Sequence, residues 1–270
     1  MIRNMRSAAT CVNESSVGVL GYVDALGRLI AVAVTPYVVD GRIIISSTPA
    51  YIDKALALSN DPRVALLVEG VSISGTAKVT FDPTGRWFDQ HLKTHELRKY
   101  PPAKTLLGLP FSRRLFSWYR QRLIIDIEPF ATHPSGPAHG ASILGLGADA
   151  TLRLVALPAS IDLDADVIAS ELPLGSIIDG PATVLLHQEF NNMNDLRQRR
   201  AHGTLQGSQF RVARRVGSLG GTATTTLDQL RLLRQLGRRA RRNLPRLHNF
   251  PFPNDTRSGG PLPGLVDDGR

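Results

Sequence analysis

The sequence predicts a mainly β fold with helices, followed by an α+β C-terminal extension. Three observations carry this. Between residues 17 and 82, short apolar runs rich in β-branched residues are joined by tight turn signals, Asp40-Gly41 and Asp82-Pro83-Thr84-Gly85 among them. Thr226 to Leu244 is the cleanest helix, with Leu230, Leu233, Leu236 or Ala240, and Leu244 at helical spacing and arginines over much of the rest. The 270-residue chain is 42% hydrophobic and 20% charged, with a mean hydropathy of -0.07, so it can bury a core of ordinary globular size.

Residues 1–13 read as a loose end. Val17 to Val23 is a strand, Asp24 to Arg28 a turn, and Leu29 to Val34 a second strand. Pro36 interrupts that strand, and Tyr37 to Val39 continues it. Asp40-Gly41 then makes a hairpin into Arg42 to Ser46, an antiparallel meander. Pro49 to Ser59 is a helix, with Ala50, Ile52, Ala55, Leu56 and Leu58 as its apolar side, and Asn60-Asp61-Pro62 ends it. Arg63 to Glu69 and Val71 to Phe81 are strands, with Gly75 marking a bulge or close approach.

Arg86 to Leu97 is a helix, Phe116 to Gln121 a short helical or looped piece, and Arg122 to Ile127 a last strand ending at Glu128-Pro129. About six strands with two or three helices between them suit a sheet closed on itself, which removes its edges. Residues 133–150, rich in Gly, Pro, Ala and Ser, read as a linker or loop.

The remainder, 151–249, reads as α+β. Thr151 to Leu157 and Ala182 to His187 are strands, Asn192 to Arg200 a short helix, and Thr204 to Leu205 with Gln209 to Val216 a hairpin around Gly207-Ser208. The arginine-rich helix 226–244 is stopped by Pro245. Residues 250–270 read as a disordered tail. Residues 181–216 faintly echo a strand, helix and hairpin, with too few identities to make a repeat.

The formal charge is +9, most of it arginine. Such a surplus attracts anions in general. No helix-turn-helix, RNA-binding strand signature or zinc-finger spacing accompanies it, so nucleic acid is not the expected partner. A single cysteine, Cys11, excludes an intrachain disulfide. No segment reaches the length of a membrane span, and the expected location is the cytoplasm.

Ser46, Ser47 and Thr48 offer hydroxyls and backbone N–H groups just before a helix start, a place where phosphate binds; Thr48-Pro49 fits plain helix capping equally well. Lys54 can anchor a phosphate or stand in solvent. Thr35 and Tyr37 flank the interrupted strand, and Arg28 and Arg63 suit turns. Trp87, Tyr100, Trp118 and Tyr119 can line a pocket or pack a core. His91 and His95 are four apart on a predicted helix, a metal spacing, but no third ligand accompanies them, so no metal is assigned. His187 and Glu189 share a side by period two. There is no G-x-S-x-G, and Gly145-Leu146-Gly147 lacks the third glycine and the helix of a dinucleotide site. The arginine-rich helix has three readings: a docked helix with a solvated face, a contact to a partner subunit or a cofactor tail, or a surface for acidic lipid or nucleic acid.

Four pieces taken in order carry a resemblance to a known superfamily: the turn Asp24–Arg28, VTPYVVDG at Val34–Gly41, IIISST at Ile43–Thr48, and the stretch from Lys54 to Asp61-Pro62-Arg63-Val64. ISGTAKV at Ile73–Val79, Tyr100-Pro101 and Ile125–Pro129 extend it. Residues 15–132 thereby resemble the pyridoxamine 5′-phosphate oxidase-like split β-barrel superfamily, of the FMN-binding split barrel type.

The resemblance implies a homodimer with its cofactor sites between subunits. The cofactor it implies is FMN, with deazaflavin F420 as the alternative and haem in some branches. It places the phosphate on Ser46, Ser47, Thr48 and Lys54, and the ring beside Val34, Thr35 and Pro36. Leu56 and Ala57 stand where the superfamily commonly has a polar pair. The function it implies is a flavin-type oxidoreductase that moves a hydride with a small organic substrate, supplied by a separate reductant or reduced cofactor. The alternatives are a non-enzymatic or haem-binding barrel and a basic nucleic-acid-associated protein. The sequence assigns no catalytic residue.

Overall fold

The computed structural model describes residues 7–100, 102–108, 116–135, 140–158, 160–169, 177–190, 195–219 and 226–252. Two antiparallel sheets organise it. The first has seven strands in the order β2-β1-β5-β6-β7-β4-β3. They are β1 (Gly18–Val23), β2 (Leu29–Val34), β3 (Pro36–Val39), β4 (Arg42–Ser47), β5 (Arg63–Val68), β6 (Val71–Asp82) and β7 (Arg122–Pro134). Its two edge strands, β2 and β3, follow each other in the chain with only Thr35 between them. The sheet therefore curls until its ends meet at Thr35. Those ends are not hydrogen-bonded to each other, and this makes the closed sheet a split β-barrel.

The barrel encloses Leu20, Ile45, Leu66, Ile73, Leu123 and Ile125, all essentially inaccessible. Helix α1 (Ala8–Glu14) adds Cys11 and Val12 to this core, and helix α2 (Asp53–Asn60) adds Ala55 and Leu58. A second apolar layer lies outside β3, β4 and β7, where Tyr37, Val39, Ile44 and Ile124 meet Trp87, Phe88, Leu92, Trp118 and Tyr119. Trp87 precedes a π-helical turn at Phe88–Leu92, and Trp118 and Tyr119 belong to helix α5 (Ser117–Arg120); helices α3 (Lys93–Lys99) and α4 (Pro102–Gly108) run between them.

The second sheet has the order β10-β13-β12-β11-β8-β9. Its strands are β8 (Ala141–Leu146), β9 (Leu152–Leu157), β10 (Val167–Ala169), β11 (Gly180–Phe190), β12 (Asp195–Gln206) and β13 (Gln209–Ser218). It lies against the outside of β2, β1 and β5. Val19, Ala31, Ala65 and Leu67 from the barrel interleave there with Leu144, Leu152, Leu154 and Leu185. Helix α6 (Thr226–Asn249) crosses back to the barrel and buries Ala240, Asn243 and Leu247.

Several expectations are corrected. The loose N-terminal end contains α1, capped by Ser7 Oγ accepting from Thr10 N at 3.2 Å; residues 1–6 lie outside the described residues. The meander is split, because β2 pairs only with β1 while β3 pairs only with β4. Strand β7 continues past Pro129, which sits opposite Gly75, with Phe130 the extra residue of a bulge in β7. A Cβ on Gly75 would stand 2.5 Å from the Glu128 carbonyl oxygen, so only glycine admits this close approach.

The linker at 133–150 contains β8. Its small residues let two sheets approach, a packing demand that composition alone reads as a loop. Residues 195–200 of the expected short helix are instead part of β12, paired with β11 from Asp195 to Leu205, and 192–194 lie outside the described residues; the described part of the 181–216 echo is strand, with no helix. Pro245 does not stop α6, because Leu247 beyond it is buried in the barrel core. Of the tail, Phe252 is buried against Phe81, and 253–270 lie outside the described residues. No helix among the described residues is long and apolar enough to cross a membrane.

Candidate functional site

Val34, Thr35 and Pro36 lie at the seam of the barrel, and the pairing of Pro36 with Ile45 brings the end of β4 beside it. Val34 ends β2 with its side chain in the barrel core, Thr35 is half-buried at the break, and Pro36 is buried at the start of β3. The Pro36 carbonyl accepts a hydrogen bond from Lys99 Nζ at 2.8 Å, which also donates to the Ser15 and Val12 carbonyls. Lys99 thereby pins the seam to α1 and α3. Burial pulls its pKa down to about 8, helped by the neighbouring charge of Arg98.

Ser46, Ser47 and Thr48 alternate across the end of β4. Ser47 points inward and donates to the Tyr51 carbonyl at 3.2 Å. Ser46 Oγ and Thr48 Oγ1 are buried and have no hydrogen-bond partner among the described residues. Thr48 holds the cap position of a 3-10 turn at Pro49–Tyr51, yet its hydroxyl makes no cap bond. Each orphaned hydroxyl costs about 1–3 kcal/mol unless something satisfies it.

Lys54, in the first turn of α2, is half-buried and has no hydrogen-bond or ion-pair partner among the described residues. Burial lowers its pKa to about 8, with the charge of Asp53 opposing the shift. Leu56 and Ala57 pack on the barrel core. Two orphaned hydroxyls and an unsatisfied ammonium, carried by neighbouring turns, form a donor set that fits a phosphate.

Helix α6 lies over this stretch. Asn243 Nδ2 donates to the Pro49 carbonyl at 2.9 Å, Arg239 reaches Asp53 at 3.3 Å, and its guanidinium sits 5.5 Å from the Tyr51 ring centroid. Arg234, Arg238, Arg241, Arg242 and Arg246 face solvent. The helix is thus docked by its apolar stripe, with a basic outer face.

The second sheet packs on the free edge of β2, a contact that the sequence reading missed. Ala33 N, on the free edge of β2, donates to Gln198 Oε1 at 3.1 Å. Thr183 Oγ1 donates to the Leu29 carbonyl at 2.7 Å and lies 3.0 Å from His202 Nδ1. Gln198, Arg200 and His202 alternate along β12, and Arg200 pairs with Leu185, itself packed on the barrel. Tyr22, at the barrel end, has its pKa pushed to about 12 by burial, with Arg200 lowering it and Asp53 and Asp24 raising it. Burial also lowers the pKa of His202, helped by Arg200, Arg28 and Arg214. A signal for this contact was present: a hairpin at Gly207-Ser208 needs a strand on both sides, and that places residues before 206 in β12.

The remaining candidates are structural or spoken for. Tyr37 Oη and Tyr119 Oη both reach Glu96, which also accepts from Arg122 Nη2 at 2.8 Å. The Arg122 guanidinium lies 4.3 Å from the Phe88 ring centroid and 4.4 Å from that of Tyr119. Burial drives the pKa values of Tyr37 and Tyr119 well up and that of Tyr100 to about 12, with the Glu96 charge adding to each. Trp87 and Trp118 are core. Arg28 is held by Asp24 at 2.6 Å and Arg63 by Asp61 at 2.6 Å.

His91 lies 3.4 Å from Asp40 and stacks on Trp87. Among the described residues no group of three His, Cys, Asp or Glu side chains could hold a metal. His187 is half-buried, and the side chain of Glu189 lies outside the described residues.

No family model matches the chain, and no curated protein matches it. Solved structures do. An F420 reductase is 19% identical, with 48% of this chain and 98% of that one covered and a TM-score of 0.36. A protein of the pyridoxinephosphate oxidase family from Clostridium acetobutylicum is 14% identical over 46% of this chain and 81% of its own, at a TM-score of 0.33. A haem storage protein from Vibrio cholerae is 11% identical over 46% of this chain and 89% of its own, at 0.34.

Proposed function

We propose that the protein is an oxidoreductase that holds FMN, or alternatively deazaflavin F420, at the barrel seam and moves a hydride to or from a small organic substrate. The observation that carries this reading is the orphaned pair Ser46 Oγ and Thr48 Oγ1 beside the unpartnered Lys54. These groups would hold the cofactor phosphate, and the edge Val34–Pro36 would lie beside its ring. A bound cofactor of this kind supplies the hydride acceptor or donor.

The protein's own part is positional. The Ser46 and Thr48 hydroxyls donate to the phosphate, and Lys54 neutralises its charge. Lys99, by fixing the Pro36 carbonyl, keeps the seam in register with α1 and α3. The solvent-facing arginines of α6 lie beside the same stretch and suit the polyanionic tail of F420. A second reading, a non-enzymatic or haem-binding barrel, is favoured by Leu56 and Ala57, whose burial leaves the turn after Lys54 without polar groups.

Titration of the purified protein with FMN and with F420, followed by cofactor fluorescence, tests the proposal. Saturable binding of one of them, weakened about tenfold or more by Lys54→Ala, is expected. Absence of binding by both would remove the oxidoreductase reading.

A further inference from the structure

We propose that β12 forms the second wall of the cofactor cleft and that Arg200 is a cofactor-binding cation, so that one chain builds a complete site. This rests on the oxidoreductase reading and extends it to residues outside the barrel.

The geometry points this way in three steps. First, the free edge of β2 is met by β12 and β11, not left open. Gln198 takes the Ala33 N–H at 3.1 Å, and Thr183, bonded to His202, takes the Leu29 carbonyl at 2.7 Å. The edge beside the proposed ring position is thus bounded by side chains of the same chain. Second, Arg200 stands between Gln198 and His202 on the barrel-facing side of β12, opposite Leu185, which is buried against β1 and β2. Third, Arg200 is half-buried and has no hydrogen-bond or ion-pair partner among the described residues.

Its neighbours show that this is not the rule for the sheet. Arg199, on the opposite side of β12, is held by Asp164, and Arg215 is held by Asp166 and by three backbone carbonyls. A half-enclosed guanidinium without an acid gives up hydration and regains nothing until an anion arrives. The Tyr22 phenol lies within reach of the charges of both Arg200 and Asp53, the residue next to Lys54. Arg200 on β12 and Lys54 on helix α2 would thus supply positive charge to the cofactor from the second sheet and from the barrel's own helix.

The covered face adds a consequence for assembly. The outside of β2, β1 and β5 is already buried under the second sheet, so a second copy cannot seat there. The wall that a partner subunit would contribute comes from residues after 180.

The test uses the full-length chain with FMN and F420 as probes, read by fluorescence titration. Arg200→Ala is expected to raise Kd about tenfold or more, while Arg199→Ala, directed away from the cleft, leaves it unchanged. Arg200→Lys is expected to recover part of the loss. Circular dichroism melts confirm folding of each variant, and Arg200→Gln carries the test if the alanine variant does not fold.

Mixing Arg200→Ala chains with Lys54→Ala chains separates a one-chain site from a shared one. A one-chain site gives no recovery of binding, whereas recovered tight sites would mean that the two residues act from different subunits. Wild-type affinity in both the Arg200→Ala and Arg200→Gln proteins, or recovery on mixing, overturns the inference and leaves the oxidoreductase reading standing. A wild-type protein that binds neither probe overturns both.

Discussion

Gly21 on β1 and Leu144 on β8 oppose each other so closely that a Cβ on Gly21 would stand 2.5 Å from Leu144 Cδ1. Leu144 is fully buried between the sheets. The missing side chain on one sheet is the space for the side chain of the other. Gly21→Val is therefore expected to destabilise the fold by about 1–3 kcal/mol through overpacking. Adding Leu144→Ala should return part of that loss, a coupling that urea unfolding of the two single variants and the double variant would measure. Strict additivity would contradict the contact.

Lys54 gives the site a pH signature. Its pKa of about 8 in the folded chain lies below the ordinary 10.5. An anion bound to the ammonium loses that partner as pH rises, so cofactor affinity is expected to fall up to about tenfold between pH 7 and pH 9. Stability runs the other way. Between about pH 8 and 10.5 the unfolded chain binds the proton that the folded chain has released, so this residue's contribution to folding rises with pH. Lys54→Met should flatten both profiles, which titration and thermal melts at stepped pH would show.

The buried pair Glu96 and Arg122 carries a stability prediction. Both are enclosed, at 6% and 2% exposure, so removing either leaves the other charge stranded. Arg122→Met is expected to cost about 3–5 kcal/mol. Combining it with Glu96→Gln should recover much of this, because the remaining tyrosine hydroxyls can still bond the amide. Equilibrium unfolding of the set distinguishes a stranded charge from simple loss of packing, which the double variant would not repair.

Helix α6 is expected to be part of the barrel's cooperative unit. Leu247→Ala removes a side chain buried with Cys11, Val12 and Phe81 and should cost about 2–5 kcal/mol. Hydrogen exchange would then show loss of protection in β6 and α1 together with α6. A loss confined to α6 would mean that the helix only rests on the surface.

The strands between residues 17 and 82 were readable because their determinants are local. The turns at Asp24–Arg28, Asp40-Gly41 and Asp82–Gly85 name their own conformations, and the strands between them are apolar enough to fit only a sheet. Strand β8 was not readable, because Ala141, Gly145 and their neighbours owe their place to what they let approach from another sheet. Strand β12 looked helical because its arginines and glutamine have no preference strong enough to outweigh eleven residues of pairing to β11. Proline normally ends a helix, and Pro245 does not, because Leu247 beyond it is held in a core built by residues far away in sequence. The same divide runs through the site: Ser46 to Lys54 sit in one recognisable stretch, whereas Gln198, Arg200 and His202 reach the seam only through tertiary packing.

The barrel core joins residues from near both ends of the chain, with Cys11 and Val12 from α1 meeting Leu247 of α6 and Phe252. During synthesis the early strands can pair as soon as they emerge, but the interior stays unfinished until the late helix is made. Contacts of such long sequence separation slow the final collapse and leave apolar surface exposed meanwhile. A barrel without that helix would leave Cys11, Val12 and Phe81 uncovered, so its interior is complete only when the two distant segments meet.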